Sequence, residues 1–129
     1  MVQDWAWVGR EAALAAHAEQ LAEHGGAQGI RDVGALESAL ARPVNLAAYG
    51  APDAAALAAG YAYGIARNHP FVDGNKRTAA VVSVAFLFLN ALECTATPAE
   101  LTVVFLALAA GELSEDEMAD WFRRYIAAG

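Results

Sequence analysis

Apolar residues recur along this chain at three- and four-residue spacing, and glycine, proline and capping residues cut the pattern into segments. A first helix is expected from Glu11 to His24, with Leu14, Ala18 and Leu21 on one face and Gly25 and Gly26 as its stop. After a loop over Ala27 to Arg31, Asp32 is an N-cap for a second helix that carries Leu36 and Leu40. That helix is expected to end at Arg42, before Pro43, with a separate helical turn over Asn45 to Tyr49. Asp53 caps a third helix, reaching Asn68, with Leu57, Tyr61 and Ile65 four apart. A fourth starts at Gly74 or Asn75 and runs to about Asn90. Its run of Val82, Val84, Phe86, Leu87 and Phe88 leaves little polar surface, which places it in the centre of the domain.

The remaining pattern is shorter. Glu93 to Thr97 reads as extended, with the N-terminal segment as its pairing partner; Trp5 to Val8 reads either as a short edge strand or as an apolar lead-in to the first helix. Thr97, Pro98 and Glu100 form a capping box for a fifth helix that Gly111 ends, and Ser114 with Glu117 forms another for a sixth, reaching about Ala127. The expected fold class is all-α: a compact bundle of about six helices around a buried central one, with room for a minor two-stranded β element. No repeat or linker divides the chain, so one domain is expected over residues 1–129.

Composition reinforces the helical reading. Hydrophobic residues make up 57% of the chain, and much of that is alanine, the strongest helix former. The formal charge of −7 argues against nucleic acid as a direct partner, because an acidic chain repels a phosphate backbone. It also makes the few cations informative: Lys76 and Arg77 adjoin, with Arg67 shortly before them, a local positive spot suited to a small anion. The single cysteine, Cys94, rules out an intrachain disulfide framework and reads as a small buried residue in a reduced cytoplasmic protein. No Cys/His spacing suggests structural zinc. No signal-peptide pattern is visible, and the apolar run from Ala79 to Leu89 is too short to span a bilayer, so no membrane association is expected.

The chemistry is concentrated in HPFVDGNKRTA, His69 to Ala79. A helix that begins at Gly74-Asn75 directs unpartnered backbone N–H groups and the positive end of its dipole into the preceding loop, which makes an anion site. Gly74 lets the backbone approach a phosphate closely, Asn75 adds an amide, and Lys76 and Arg77 add charge. Two cations in a first helical turn oppose the dipole, and a bound phosphate would compensate. His69 is of the residue type suited to proton transfer near neutrality. Asp73 suits Mg²⁺ beside a phosphate, or else serves as an N-cap. Phe71 is the apolar anchor of the loop. Base, metal ligand and anion cradle are the parts that phosphoryl or nucleotidyl transfer needs. By contrast, His17 and His24 read as capping or packing residues, Arg67 as a solvated helix-end residue, and the tyrosines of the third helix as core.

These residues resemble the Fic/Doc family. Its general pattern is H-x-F-x-[D/E]-G-N-G-R-x-x-R, matched by His69, Phe71, Asp73, Gly74, Asn75 and Arg77. Lys76 replaces the last glycine and Ala80 the final arginine, and both departures fit the Doc branch, the death-on-curing toxins, whose pattern is H-x-F-x-D-[A/G]-N-K-R-T-A. HGGAQGIRD (His24 to Asp32), LESALARP (Leu36 to Pro43) and YGIARNHPF (Tyr63 to Phe71) look like the same branch. The resemblance implies an enzyme that moves the γ-phosphate of ATP, with Mg²⁺, to a threonine of elongation factor Tu. It also implies a small antitoxin with a flexible tail. The implied roles are His69 as base, Asp73 as Mg²⁺ ligand or His69 orienter, and Gly74, Asn75, Lys76 and Arg77 as phosphate ligands. AMP transfer, as in Fic proteins generally, is the rival activity; an inactive nucleotide- or antitoxin-binding module is the rival from another class.

Overall fold

The computed structural model describes residues 4–129. Six helices follow in order: α1 (Arg10–His24), α2 (Val33–Tyr49), α3 (Ala54–Asn68), α4 (Asn75–Leu89), α5 (Pro98–Ala109) and α6 (Glu115–Tyr125). Two short strands, β1 (Leu92–Cys94) and β2 (Ile126–Ala128), pair antiparallel with Glu93 opposite Ala127. The all-α class with a minor β element is as the sequence suggests.

The buried centre is α3 rather than α4. Leu57, Tyr61, Ile65 and most of the alanines of α3 are inaccessible, and α2, α4, α5 and α6 all pack on it. Small side chains explain the placement, since an Ala/Gly-rich helix can be approached from every side. α4 packs beside it and leaves Phe88 79% and Leu89 51% exposed.

The closest approach is between α2 and α3. A Cβ on Gly64 would lie 2.9 Å from Ala39 Cα, and one on Gly60 3.6 Å from Pro43 Cα. This contact accounts for a difference from expectation: α2 does not stop at Pro43 but continues to Tyr49 and absorbs the anticipated separate turn. An interior proline costs about 3 kcal/mol in an isolated helix. Here its ring is buried over Gly60, and packing along α3 offsets that loss.

The N-terminal segment is extended but is not a strand. Its ladder partners are side chains. The Asn90 amide accepts from Ala6 N–H and donates to the Ala6 carbonyl, each at 2.9 Å, and the Tyr61 hydroxyl accepts from Val8 N–H at 2.9 Å. Trp7 stacks on Phe86 at 5.7 Å. β1 therefore pairs with the C-terminus instead, and α6 ends at Tyr125, two residues before the expected Ala127.

Candidate active site

α3 ends at Asn68, and His69 turns the chain in the left-handed region, φ 49° and ψ 59°. For a residue with a Cβ that turn costs about 1–2 kcal/mol, so the surroundings must hold it. Arg31 does part of this: its Nε donates to the His69 carbonyl and its Nη2 to the Asn68 carbonyl, both at 2.6 Å. The Arg31 backbone is fixed in turn by its own N–H, which donates to the Pro70 carbonyl at 2.7 Å. Phe71 then dives into the core, fully buried, and bridges Ile30 across the glycine-rich loop.

Beyond Phe71 the loop closes on itself. Asn75, 8% exposed, accepts the Phe71 N–H at Oδ1 and donates from Nδ2 to the Phe71 carbonyl, each at 2.9 Å. The Asn75 amide thus bonds the loop backbone and is not the donor for an anion that the sequence suggests; the helix-start N–H of this residue has no side-chain cap. From the core side, His17 stacks flat on Phe71 (3.8 Å between centroids, 8° between planes), and its Nε2 lies 2.8 Å from the Asp73 carbonyl. A carbonyl only accepts, so His17 Nε2 carries the proton. One carboxylate oxygen of Asp73 accepts from Gly74 N–H at 2.9 Å and the other from Ala27 N–H at 3.3 Å. Gly74, φ 75°, completes the turn into α4 in a conformation that disfavours any side chain.

α4 opens without a side-chain cap and without an acid in its first turn. Lys76 and Arg77 are exposed there, and among the described residues neither makes an ion pair. His69, Asp73, Gly74, Asn75, Lys76 and Arg77 all line one groove of about 540 Å³. Phe71, fully buried, is not among the lining residues. Ala80 continues the α4 wall, and Leu101, Thr102, Phe105 and Leu106 of α5 form the other side. Arg67 does not join this set: its guanidinium lies over the Tyr63 ring, 5.4 Å from the centroid.

The match to a family model, Fic/DOC, extends over residues 7–87, which includes the whole loop, all of α3 and α4 as far as Leu87. The chain belongs to the Fic/DOC family. Two relatives of this family are alike in name. "Protein kinase doc" of Escherichia phage P1 is 34% identical over 115 residues, 88% of this chain and 90% of the relative. "Toxin Doc" of Mycolicibacterium smegmatis is 41% identical over 75 residues, 56% of this chain and 57% of the relative. Both names agree with the Doc-type resemblance carried by Lys76 and Ala80.

Three contributors to this Fic/DOC site were not singled out from sequence: His17, Arg31 and the α5 wall. His17 fits its reading as a packing residue, but what it packs is the loop. The signal for Arg31 was HGGAQGIRD, recognisable as a family stretch without revealing which atoms it touches. For Mg²⁺, the structure offers the exposed Asp73 carboxylate, whose oxygens accept only backbone N–H groups. No group of three or more His, Cys, Asp or Glu side chains converges among the described residues. A single exposed carboxylate is the kind of ligand Mg²⁺ takes, since the ion keeps several waters and binds through one or two carboxylates plus substrate phosphates. No described helix is long and apolar enough to cross a membrane.

Proposed function

We propose that this chain is a Doc-type toxin kinase. It transfers the γ-phosphate of ATP to a threonine hydroxyl, that of elongation factor Tu, arrests translation in the cytoplasm, and is neutralised by a small antitoxin whose flexible tail folds onto it. The observation that carries the reading is the shared groove: the exposed His69 imidazole and the uncapped, cationic start of α4 line the same cleft.

The triphosphate lies against the α4 N–H groups, Gly74, Lys76 and Arg77, where dipole and side-chain charge add. His69 accepts the proton of the target hydroxyl. The hydroxyl oxygen forms a bond to the γ-phosphorus, the bond from that phosphorus to the β–γ bridging oxygen breaks, and ADP leaves. Asp73 holds Mg²⁺, which when bound neutralises phosphate charge. Lys76 occupies space that a glycine would leave open to an inner phosphate, and Ala80 supplies no clamp for the outer ones; both favour presenting the terminal phosphate to His69. The relative named as a kinase supports the same direction of transfer. Exposed Val72, Val103 and Leu106 beside the groove offer apolar surface of the kind a folding antitoxin tail covers.

The test is incubation with elongation factor Tu, Mg²⁺ and ATP labelled at either the α or the γ position. Label from γ alone is expected. Label from α would replace the kinase by AMP transfer, and no transfer with nucleotide still bound would leave a binding module. His69→Ala is expected to lower transfer about 10²–10⁴-fold without altering the thermal midpoint, since the side chain is exposed.

A further inference from the structure

The loop Gly25 to Asp32 touches the reaction loop at several points, and one of its side chains does something the sequence pattern does not explain. Arg31 reaches across to the end of α3 and forks over two successive carbonyls, those of Asn68 and His69. Both belong to the turn that aims the His69 side chain, and His69 is a non-glycine residue with positive φ. A residue that must carry an imidazole cannot escape that strain by becoming glycine, so something outside it has to supply the hold. The fork is suited to this. It is charge-assisted, it meets the negative end of the α3 dipole, and its planar guanidinium fixes two carbonyls relative to one another, which a single donor does not. Its base is also fixed, because the N–H groups of Arg31 and Asp32 both donate to the Pro70 carbonyl, at 2.7 and 3.1 Å. Asp32 in turn caps α2 through Ala35 N–H.

We propose that Arg31 is a positioning residue for the reaction: it holds the left-handed turn at His69 and so sets where the base stands relative to the transferring phosphate. The inference rests on His69 being the base, as proposed above. Arg31 itself is absent from the groove lining, and among the described residues its side-chain hydrogen bonds go to Asn68 and His69 and not to the phosphate-facing Gly74, Lys76 or Arg77. Its loss therefore affects the turnover step and spares nucleotide binding.

The experiment compares wild type, Arg31→Lys, Arg31→Ala and His69→Ala in the labelled-ATP assay, at a temperature where each is folded by circular dichroism. Arg31→Ala is expected to lower kcat by about a hundredfold with KM for ATP unchanged. Arg31→Lys, with one charged head for two carbonyls, falls between, and added guanidinium ion at millimolar concentration restores part of the Arg31→Ala rate. A merely structural role would reduce the folded fraction without splitting kcat from KM and without rescue by guanidinium. Unchanged kcat in Arg31→Ala, while His69→Ala is dead, overturns the positioning role and leaves the base assignment standing. Full activity in His69→Ala overturns the base assignment itself. An assay-independent arm measures the His69 backbone HN–Hα coupling and Cα shift by NMR without nucleotide. They are expected to move toward coil values in Arg31→Ala, and wild-type values in that variant would refute the hold on the turn.

Discussion

The starts of α4 and of α5 and α6 are built on opposite plans. At α5, Thr97 Oγ1 accepts Glu100 N–H at 3.2 Å while Glu100 accepts Thr97 N–H at 2.9 Å. At α6, Ser114 and Glu117 do the same at 3.1 and 3.0 Å, and Glu115, Asp116 and Glu117 all face the positive end of the dipole. At α4 a glycine occupies the cap position, no side chain accepts the first N–H groups, and two cations stand where acids would stabilise the helix. The chain thus has capping residues and uses them where a helix only has to be stable. At α4 it leaves open the N–H groups and the field that an anion would otherwise compete for.

Making α4 resemble its neighbours should break the site first. Lys76→Glu or Arg77→Glu is expected to weaken ATP binding about ten- to hundredfold, the worth of one charge-assisted phosphate contact, as read by calorimetric titration. The same substitutions should raise unfolding stability by about 0.3–1 kcal/mol each in urea titrations. Opposite signs in the two measurements are the signature; a loss of stability would remove the distinction between the two kinds of helix start. Next in size is Gly74→Ala. It places a Cβ 3.4 Å from Leu21 Cδ2 at φ 75°, and should cost about 1–2 kcal/mol of stability together with ATP affinity.

The converse substitutions sharpen the contrast. Thr97→Ala and Ser114→Ala are expected to cost about 1 kcal/mol each in chemical denaturation and to leave ATP affinity and transfer unchanged. The smallest effect is at the start of α3. There Asp53 accepts Ala56 N–H at 3.0 Å, and Arg123 forks onto it at 2.8 and 2.9 Å. The Arg123 hydrogen bond, and after it the Ala56 N–H, hold this carboxyl below its ordinary range. A depressed carboxyl contributes stability that is present above its unfolded value and lost as pH falls through the folded one. Wild type should therefore lose slightly more stability than Asp53→Asn as pH drops below about 4. The difference is small because the pair is solvent-exposed, and equal acid sensitivity in pH-dependent melts would show that it contributes nothing.

Much of this was legible in the sequence because it is written locally. Capping boxes, glycine stops and the loop from His69 to Ala79 depend on neighbours a few residues away, and the helices and the loop's own share of the groove lining follow from them. What was not legible depends on partners far along the chain. Pro43 looks like a helix end until Gly60 and Gly64 are seen to make room for α2. Trp5 to Val8 has no strand partner to find, because Asn90 and Tyr61 side chains take that place. The spacing of Leu14, Ala18 and Leu21 marks α1 as a helix, yet its buried positions are Ala13 and His17, and His17 lies against Phe71. A histidine in an alanine-rich helix gives no sign of which loop it will lie against, and an arginine in a glycine-rich loop gives none of which carbonyls it will reach.

The ring that Asn75 closes over the Phe71 backbone has a consequence for how such proteins diversify. Because that ring fixes the shape of the loop from within, with Phe71 and His17 beneath it, Lys76, Arg77 and Ala80 line the groove without taking part in the bonds that hold the loop. On the proposed reading, a lineage can exchange lysine for glycine at one of these positions, or alanine for arginine at another, and meet a different part of the nucleotide while the cradle keeps its form. New chemistry then lies a few substitutions away on an unchanged frame.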